Sequence, residues 1–212
     1  MILAARGGGR IADVTETPLL RSALRLQYTT VAWNTVEAVI TIGLGIAAGS
    51  LALIGFGTDS LIEIFASLVV IWHLLPHEEA DHPGRTSRAL RLIAIAFLVL
   101  ALGLAAVSIS DLVSGRRPEE SIGGIVMLVV VVIVMFTLAF LKRRVAERLD
   151  SSPLRAEATM SMLDGFLAAA TLAGLALHAS LGWWWADPGA ALVVAVAALN
   201  EARENWEEAG ND

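Results

Sequence analysis

The chain of 212 residues contains no cysteine, and only 17% of its residues are charged. The absence of cysteine excludes disulfide bonds, thiolate metal ligands and cysteine nucleophiles. No glycine-rich loop is followed by Lys-Ser or Lys-Thr, so the sequence shows no motif for ATP-driven chemistry. It also lacks the basic, aromatic-interleaved patches that are typical of nucleic-acid binding. The apolar run at the N-terminus is too short for a secretory signal.

Apolar sequence dominates what is present. Apolar residues make up 56% of the chain, and the mean hydropathy is +0.69, whereas a soluble domain has an apolar share of about 45–50%. Several segments of about 20 apolar residues therefore predict an all-α polytopic membrane protein with six transmembrane helices. We expect a cytoplasmic and partly disordered segment at 1–28, a six-helix domain at 29–202 and a short tail at 203–212. The predicted spans are 29–48, 51–74, 89–111, 122–141, 155–180 and 186–200.

The distribution of Lys and Arg predicts the orientation of these spans. With six spans, 13 of the 15 basic residues lie on one side, and only Arg116 and Arg117 lie on the other. The positive-inside rule then places both termini in the cytoplasm. We expect a multi-pass protein of a bacterial inner or plasma membrane, with the lipid bilayer as its main partner.

The second span carries Asp59 and Glu63, four residues apart and therefore on one face of a helix. A carboxylate at the centre of a bilayer costs about 2.5–3.5 kcal/mol on insertion scales, so such residues commonly mark an ion or proton pathway. No basic residue is expected at comparable depth in any span, which leaves a bound cation or protons to neutralise the pair. The alternative is a structural pair that is hydrogen-bonded to neighbouring helices.

The first and fifth spans carry polar residues at a similar depth. A rise of 1.5 Å per residue places Glu37, Glu63 and Asp164 about 12–16 Å from the cytoplasmic ends of their helices, and Asp59 about 22 Å. We therefore predict a metal site between these helices, with supporting residues that orient ligands or carry protons. Helix–helix hydrogen bonding is an equally good interpretation of Asn34 and Glu37. The alternative for Glu157 is a position at the cytoplasmic interface, and the alternative for Met160 is ordinary core packing. The predicted metal ligands are Asp59, Glu63, Met160 and Asp164, and the supporting residues are Asn34, Glu37 and Glu157.

The loop after the second span is rich in histidine and acidic residues. Imidazole and carboxylate groups together suit Zn²⁺ and its first-row neighbours. We predict that this loop collects metal at the cytoplasmic mouth, and the alternative is a solvated acidic loop. The candidate ligands are His73, His77, Asp81 and His82.

Three segments resemble the cation diffusion facilitator, or cation efflux, family over about residues 25–205. These segments are GSLALIGFGTDSLIEI on the second span, LRAEATMSMLDGFLA on the fifth and WADPGAALVV on the sixth. Asp59, Glu63 and Asp164 match acidic metal ligands of the family, and Glu157 matches a further acidic position. The resemblance departs at Met160, where the family has histidine, and at Glu63, where it usually has aspartate.

The resemblance implies a homodimeric, proton-coupled antiporter of Zn²⁺, Mn²⁺ or Fe²⁺, which is not an enzyme and needs no organic cofactor. The family's cytosolic metal-binding domain does not follow the sixth span in this sequence, so we expect a small form that lacks it. Loss of the histidine leaves mainly oxygen donors, which favour Mn²⁺ or Fe²⁺ while Zn²⁺ stays open. Two alternatives remain: a non-transporting sensor or scaffold with a degenerate site, and a transporter of a monovalent ion or of protons alone.

Overall fold

The computed structural model describes residues 9–48, 51–75, 84–115 and 122–211. Over these ranges the chain forms six α-helices and no strand, which confirms the predicted all-α class. The helices are α1 Gly9–Ala48, α2 Leu51–Leu74, α3 Arg85–Ser114, α4 Ile122–Leu149, α5 Ser152–Leu181 and α6 Ala186–Asn211.

The helices are long enough to cross a bilayer. The shortest has 24 residues, or about 36 Å at 1.5 Å per residue, against a hydrocarbon core of about 30 Å. Within the described ranges, four helices contain a window that is long and apolar enough for a span. The remaining two are more polar, because one face of α1 is lined by buried polar residues and the last turns of α6 are charged. The four windows are Gly57–Leu74, Arg85–Ser114, Gly123–Leu149 and Ser152–Leu181.

Four of the helices surround the polar interior. Helix α1 packs on α2 and α4, and α5 packs on α4 and α2, so that α1, α2, α5 and α4 close a ring. Helices α3 and α6 pack mainly on each other and lie against the α2 and α5 side of this ring. The ring encloses the buried polar face of α1, formed by Gln27, Thr30, Asn34, Glu37 and Thr41.

Local sequence sets the turns between helices. The hydroxyl of Ser151 accepts a hydrogen bond from the Leu154 amide and caps α5, and Pro153 occupies the first turn, where its missing N–H costs nothing. Only two residues separate α4 from α5, so these helices form an antiparallel pair. At the other end of α5, Gly182 adopts a left-handed conformation (φ 73°) and its amide donates to the His178 carbonyl.

Two glycines allow close contact between helix backbones. A Cβ atom at Gly57 of α2 would lie 2.5 Å from side-chain atoms of Thr41 and Ile42 on α1. A Cβ atom at Gly174 of α5 would lie 2.6–2.9 Å from the Cβ and backbone atoms of Asp187 in the first turn of α6. Small residues at such crossings replace side-chain bulk with backbone contact, as is common between membrane helices.

The end of the bundle at which α4 turns into α5 is here called the basic end. It carries Arg143, Arg144, Arg148 and Arg155. The start of α3 and the end of α6 meet there, because Ser87 donates a hydrogen bond to the Ala209 carbonyl. The start of α5 meets the same part of α6, where Ser152 donates to Glu208 at 2.6 Å.

Three predicted boundaries differ from the helix ends. Helix α1 begins at Gly9 and runs through the expected boundary at 28. Helix α4 continues to Leu149, eight residues beyond its expected end, and α6 includes residues 203–211 of the expected tail. The edge of the hydrocarbon does not terminate a helix, and Arg–Glu pairs four residues apart, Arg143–Glu147 and Arg203–Glu207, support the helices beyond it.

Candidate cation site

Glu63 lies at the centre of the ring, where three helices meet. Its side chain on α2 is only 4% exposed. One carboxylate oxygen accepts a hydrogen bond from Asn34 Nδ2 of α1 at 2.6 Å, and the other accepts from Ser161 Oγ of α5 at 2.5 Å. Both oxygens of Glu63 are therefore held by donors from neighbouring helices.

Asp59 and Asp164 form a carboxyl pair between α2 and α5. Their side chains are half-buried and in hydrogen-bond contact with each other. Both interact electrostatically with Glu63 and Glu37, so four acidic groups from three helices share one electrostatic environment. Two carboxyl groups in contact repel each other unless a proton or a cation lies between them. This is an arrangement that a cation can stabilise.

Three side chains of α1 and α2 each leave one buried oxygen without a donor among the described residues. These oxygens are Asp59 Oδ2, Glu37 Oε2 and Asn34 Oδ1. Each such atom costs about 1–3 kcal/mol if it stays unsatisfied, and all three can only accept. Oxygen acceptors of this kind fit a hard cation.

The described side chains nevertheless do not form a complete coordination shell for a metal ion. Across the described part of the chain, no three His, Asp or Glu side chains lie close enough together to enclose a metal ion. The Asp59–Asp164 pair supplies two carboxylates, and Glu63 is engaged by its two donors. A divalent ion at the pair would therefore need water, or an approach of Glu37 or Glu63, to complete its coordination.

Lys142 contradicts the expectation that no basic residue lies at depth. Its side chain is fully buried, and Nζ lies 2.6 Å from Glu157 Oε1 and 2.8 Å from Ser161 Oγ. The expectation was wrong because the basic run after 141 looked like a loop, whereas α4 continues through it. The signal was helical periodicity, because Val131, Met135 and Leu138 are buried on the face that leads to Lys142.

Glu157 lies at the junction of four helices. One of its oxygens accepts from Gln27 Nε2 of α1 at 2.9 Å, and the other accepts from Ser67 Oγ of α2 at 2.8 Å and from Lys142 of α4. Glu157 therefore connects the four helices of the ring, and its predicted role in orienting metal ligands or carrying protons stays a prediction. The sequence reading did not single out Gln27, Ser67 or Ser161, although Gln27 lies seven residues before Asn34 on the polar face of α1.

Met160 is buried in the main hydrophobic cluster, and its side chain is 2% exposed. The same cluster contains Leu154, Val70 and Ala66, so Met160 belongs to the apolar core. Its role as a metal ligand stays a prediction.

Of the predicted metal-collecting loop, His73 is half-buried at the end of α2, with an interaction to Arg85. The other three residues, His77, Asp81 and His82, lie outside the described ranges.

Comparison with known proteins gives a consistent result. Residues 28–211 match the model of the cation efflux transmembrane domain. An uncharacterized transporter of Synechocystis sp. is 28% identical over 168 residues, which are 74% of this chain and 54% of the relative. The cation-efflux pump FieF of Shewanella oneidensis is 28% identical over 170 residues, 76% of this chain and 57% of the pump. This chain spans about half the length of the curated relatives it matches.

The family match covers all or most of each of the six helices, including the three that carry Glu37, Asp59, Glu63 and Asp164. The chain therefore belongs to the cation efflux family of membrane transport proteins.

Proposed function

We propose that this protein carries a divalent metal cation across a bilayer and that Asp59 and Asp164 bind the cargo. The observation that carries the proposal is the contact of these two carboxyl groups beside buried oxygens that lack donors. A cation at this position would compensate the repulsion and satisfy the acceptors at once. One relative is named a cation-efflux pump, which supports cation transport as the proposed function of this chain.

The proposed cargo is Mn²⁺, Fe²⁺ or Zn²⁺. Asp59, Glu37 and Asn34 each leave a buried oxygen without a donor, and the sulfur of Met160 belongs to the apolar cluster. An oxygen donor set favours the harder ions Mn²⁺ and Fe²⁺ over Zn²⁺, which prefers nitrogen and sulfur. Glu37 is the acid best placed to join the site, because its Oε2 is buried without a donor.

The proposed driving force is proton antiport. Carboxylates bind a metal only when they are deprotonated, so a proton and a metal compete for the Asp59–Asp164 pair. The arginines of the basic end support a cytoplasmic position for that end under the positive-inside rule. The cargo then leaves the cytoplasm when the helices around the site rock against each other. We further propose a homodimer in a bacterial plasma membrane.

Uptake into proteoliposomes tests this proposal. Vesicles loaded with a metal-sensitive dye receive Mn²⁺, Fe²⁺ or Zn²⁺ under a proton gradient of opposite direction. We expect uptake by the unmodified chain and at least a tenfold lower rate for D59N and for D164N. The control is D150N, because the Asp150 side chain is 99% exposed at the turn before α5.

Two results contradict the proposal. If the unmodified chain moves none of the three metals, the protein is a sensor, a scaffold or a carrier of another ion. If D59N and D164N retain the rate of D150N, the cargo binds elsewhere.

A further inference from the structure

A buried lysine lies on the basic-end side of the aspartate pair, and proton-coupled metal binding at that pair does not require it. We propose that the ion pair of Lys142 and Glu157 is the gate of the cation pathway at the basic end of the bundle. The inference rests on the proposed function, because a gate presupposes a pathway.

The position of the ion pair along the bundle supports a gate. Glu157 precedes Asp164 by seven residues on α5, so both lie on one helix face and Glu157 is about 10 Å nearer the basic end. Helix α1 repeats this spacing, because Gln27 precedes Asn34 by seven residues. Gln27 donates to Glu157, and Asn34 donates to Glu63. A cation that moves from the basic end to the aspartate pair must therefore pass the layer of Lys142 and Glu157.

The layer is sealed in this structure. The Lys142 and Glu157 side chains and their hydrogen-bonding neighbours Gln27, Ser67 and Ser161 are all fully buried. They come from α1, α2, α4 and α5, the four helices of the ring. In contrast, Asp59 and Asp164, one layer further in, are only half-buried. The Lys142 side of the aspartate pair is therefore covered by a layer of fully buried side chains.

The ion pair also occupies the carboxylate that a cation would otherwise meet. The Lys142 ammonium neutralises Glu157, so a cation that approaches from the basic end finds a closed, neutral layer in which both oxygens of Glu157 already accept hydrogen bonds. The ammonium is attached to a flexible four-carbon stem on α4, whereas its partners Glu157 and Ser161 belong to α5. A separation of α4 from α5 would remove the charge and break the seal in one movement.

The gate is also connected to the candidate site. An ammonium group can only donate, so Ser161 accepts from Lys142 and must use its own proton to donate to Glu63. Two hydrogen bonds thus lead from Lys142 to Glu63. If Glu63 turns toward a bound cation, it withdraws the acceptor of Ser161 and loosens the contact that holds Lys142.

A cysteine reporter behind the gate tests the proposal. The chain has no cysteine of its own, so a single introduced thiol reports without background. We choose A38C, because Ala38 lies four residues beyond Asn34 on α1 and its side chain is 3% exposed. Vesicles of either orientation are treated with a membrane-impermeant, positively charged thiol reagent, in the absence of metal.

The variants separate charge from bulk in the full-length chain. K142M keeps the length of the side chain but leaves the Glu157 carboxylate buried, so it can fail to fold. The double variant K142M/E157Q removes both charges, so it leaves no unpaired carboxylate in the interior. K142R keeps the positive charge. R203Q/E207Q is the matched control, because it neutralises a pair of similar length on the exposed surface of α6.

We expect K142M/E157Q to label at least tenfold faster, and only in vesicles whose basic end faces the reagent. K142R and R203Q/E207Q should label within twofold of the rate of the A38C reporter in the otherwise unmodified chain. The proposal is overturned if K142M/E157Q labels at that same rate. It is equally overturned if the rate rises alike in both vesicle orientations, because the pair would then only hold the bundle together. Labelling needs no metal, whereas uptake by the unmodified chain tests the proposed function, so the two failures are distinguishable.

Discussion

Two ion pairs in this chain have nearly equal lengths and opposite surroundings. Lys142 Nζ lies 2.6 Å from Glu157, and both side chains are 0% exposed. Arg203 Nε lies 2.7 Å from Glu207, and the side chains are 78% and 60% exposed. We predict that these two pairs contribute very differently to the free energy of unfolding, because burial and not distance sets the cost of breaking them.

The magnitudes follow from what each substitution leaves behind. K142M leaves a buried carboxylate without its counter-ion, which typically costs about 3–5 kcal/mol. Gln27 and Ser67 still donate to that carboxylate, so we expect a value near the lower limit. K142M/E157Q removes both charges and should recover most of the loss, since neutral replacement of a buried pair is often tolerated. E157Q leaves the buried ammonium without its counter-ion and adds a cost of its own, so the coupling energy of the buried pair should be at least about 3 kcal/mol. The exposed pair of Arg203 and Glu207 should couple far more weakly, because water screens it.

Two double-mutant cycles measure this difference. The variants are K142M, E157Q and their combination, and R203Q, E207Q and their combination, unfolded with denaturant in the same mixed micelles. The free energy of unfolding of the four proteins in each cycle gives the coupling energy directly. A coupling energy below about 1 kcal/mol for Lys142 and Glu157 would refute the reasoning, because a fully desolvated pair cannot be so weak.

Three further predictions concern the site and the packing around it. M160L should bind Mn²⁺ within twofold of the unmodified affinity by calorimetry, because the thioether packs among apolar side chains, and a loss above tenfold would show that sulfur is a ligand. As the pH is lowered, the affinity for Mn²⁺ should fall by about tenfold per pH unit for each proton that the metal displaces from the aspartate pair. Calorimetry at pH 7.5 and 5.5 checks this, and equal affinities at the two pH values would contradict it. G174A should lower the melting temperature, because its methyl group would overlap Asp187 at a cost of about 1–3 kcal/mol. The control is G103A, whose added methyl group meets no atom within 4 Å. It should keep or raise the melting temperature, because the helix propensity of alanine is about 1 kcal/mol better than that of glycine. If G174A melts at a higher temperature than G103A, the close approach of α5 and α6 is not as described.

The sequence was sufficient for the class of the fold because apolar length is a local property. The long apolar runs predicted helices that cross a bilayer, and six helices are present over the described ranges. Helix ends were predicted less well, because a helix continues beyond the hydrocarbon wherever its own propensity and side-chain pairs support it. The extension of α4 to Leu149 is the example with the largest consequence, since it carries Lys142 into the interior.

The acidic residues of the candidate site could also be proposed from the sequence. Asp59 and Glu63 share a helix face by spacing alone, and a carboxylate inside an apolar run is conspicuous because of its cost in lipid. Helical rise placed the acids of three helices at similar depth. These inferences need only local geometry and one dimension of the bilayer.

The tertiary structure alone decided which of these groups meet and which are already satisfied. Ser161 donates to Glu63 across 98 residues of sequence, and Gln27 donates to Glu157 across 130. Such contacts depend on the rotation of each helix about its axis, which packing sets and spacing does not. That rotation gives Glu157 a lysine and leaves oxygens of Asp59 and Glu37 without donors. The sequence by itself determined that acids lie within apolar helices, and the packing of α1, α2, α4 and α5 decided which of them are held by donors and which keep an unpaired oxygen.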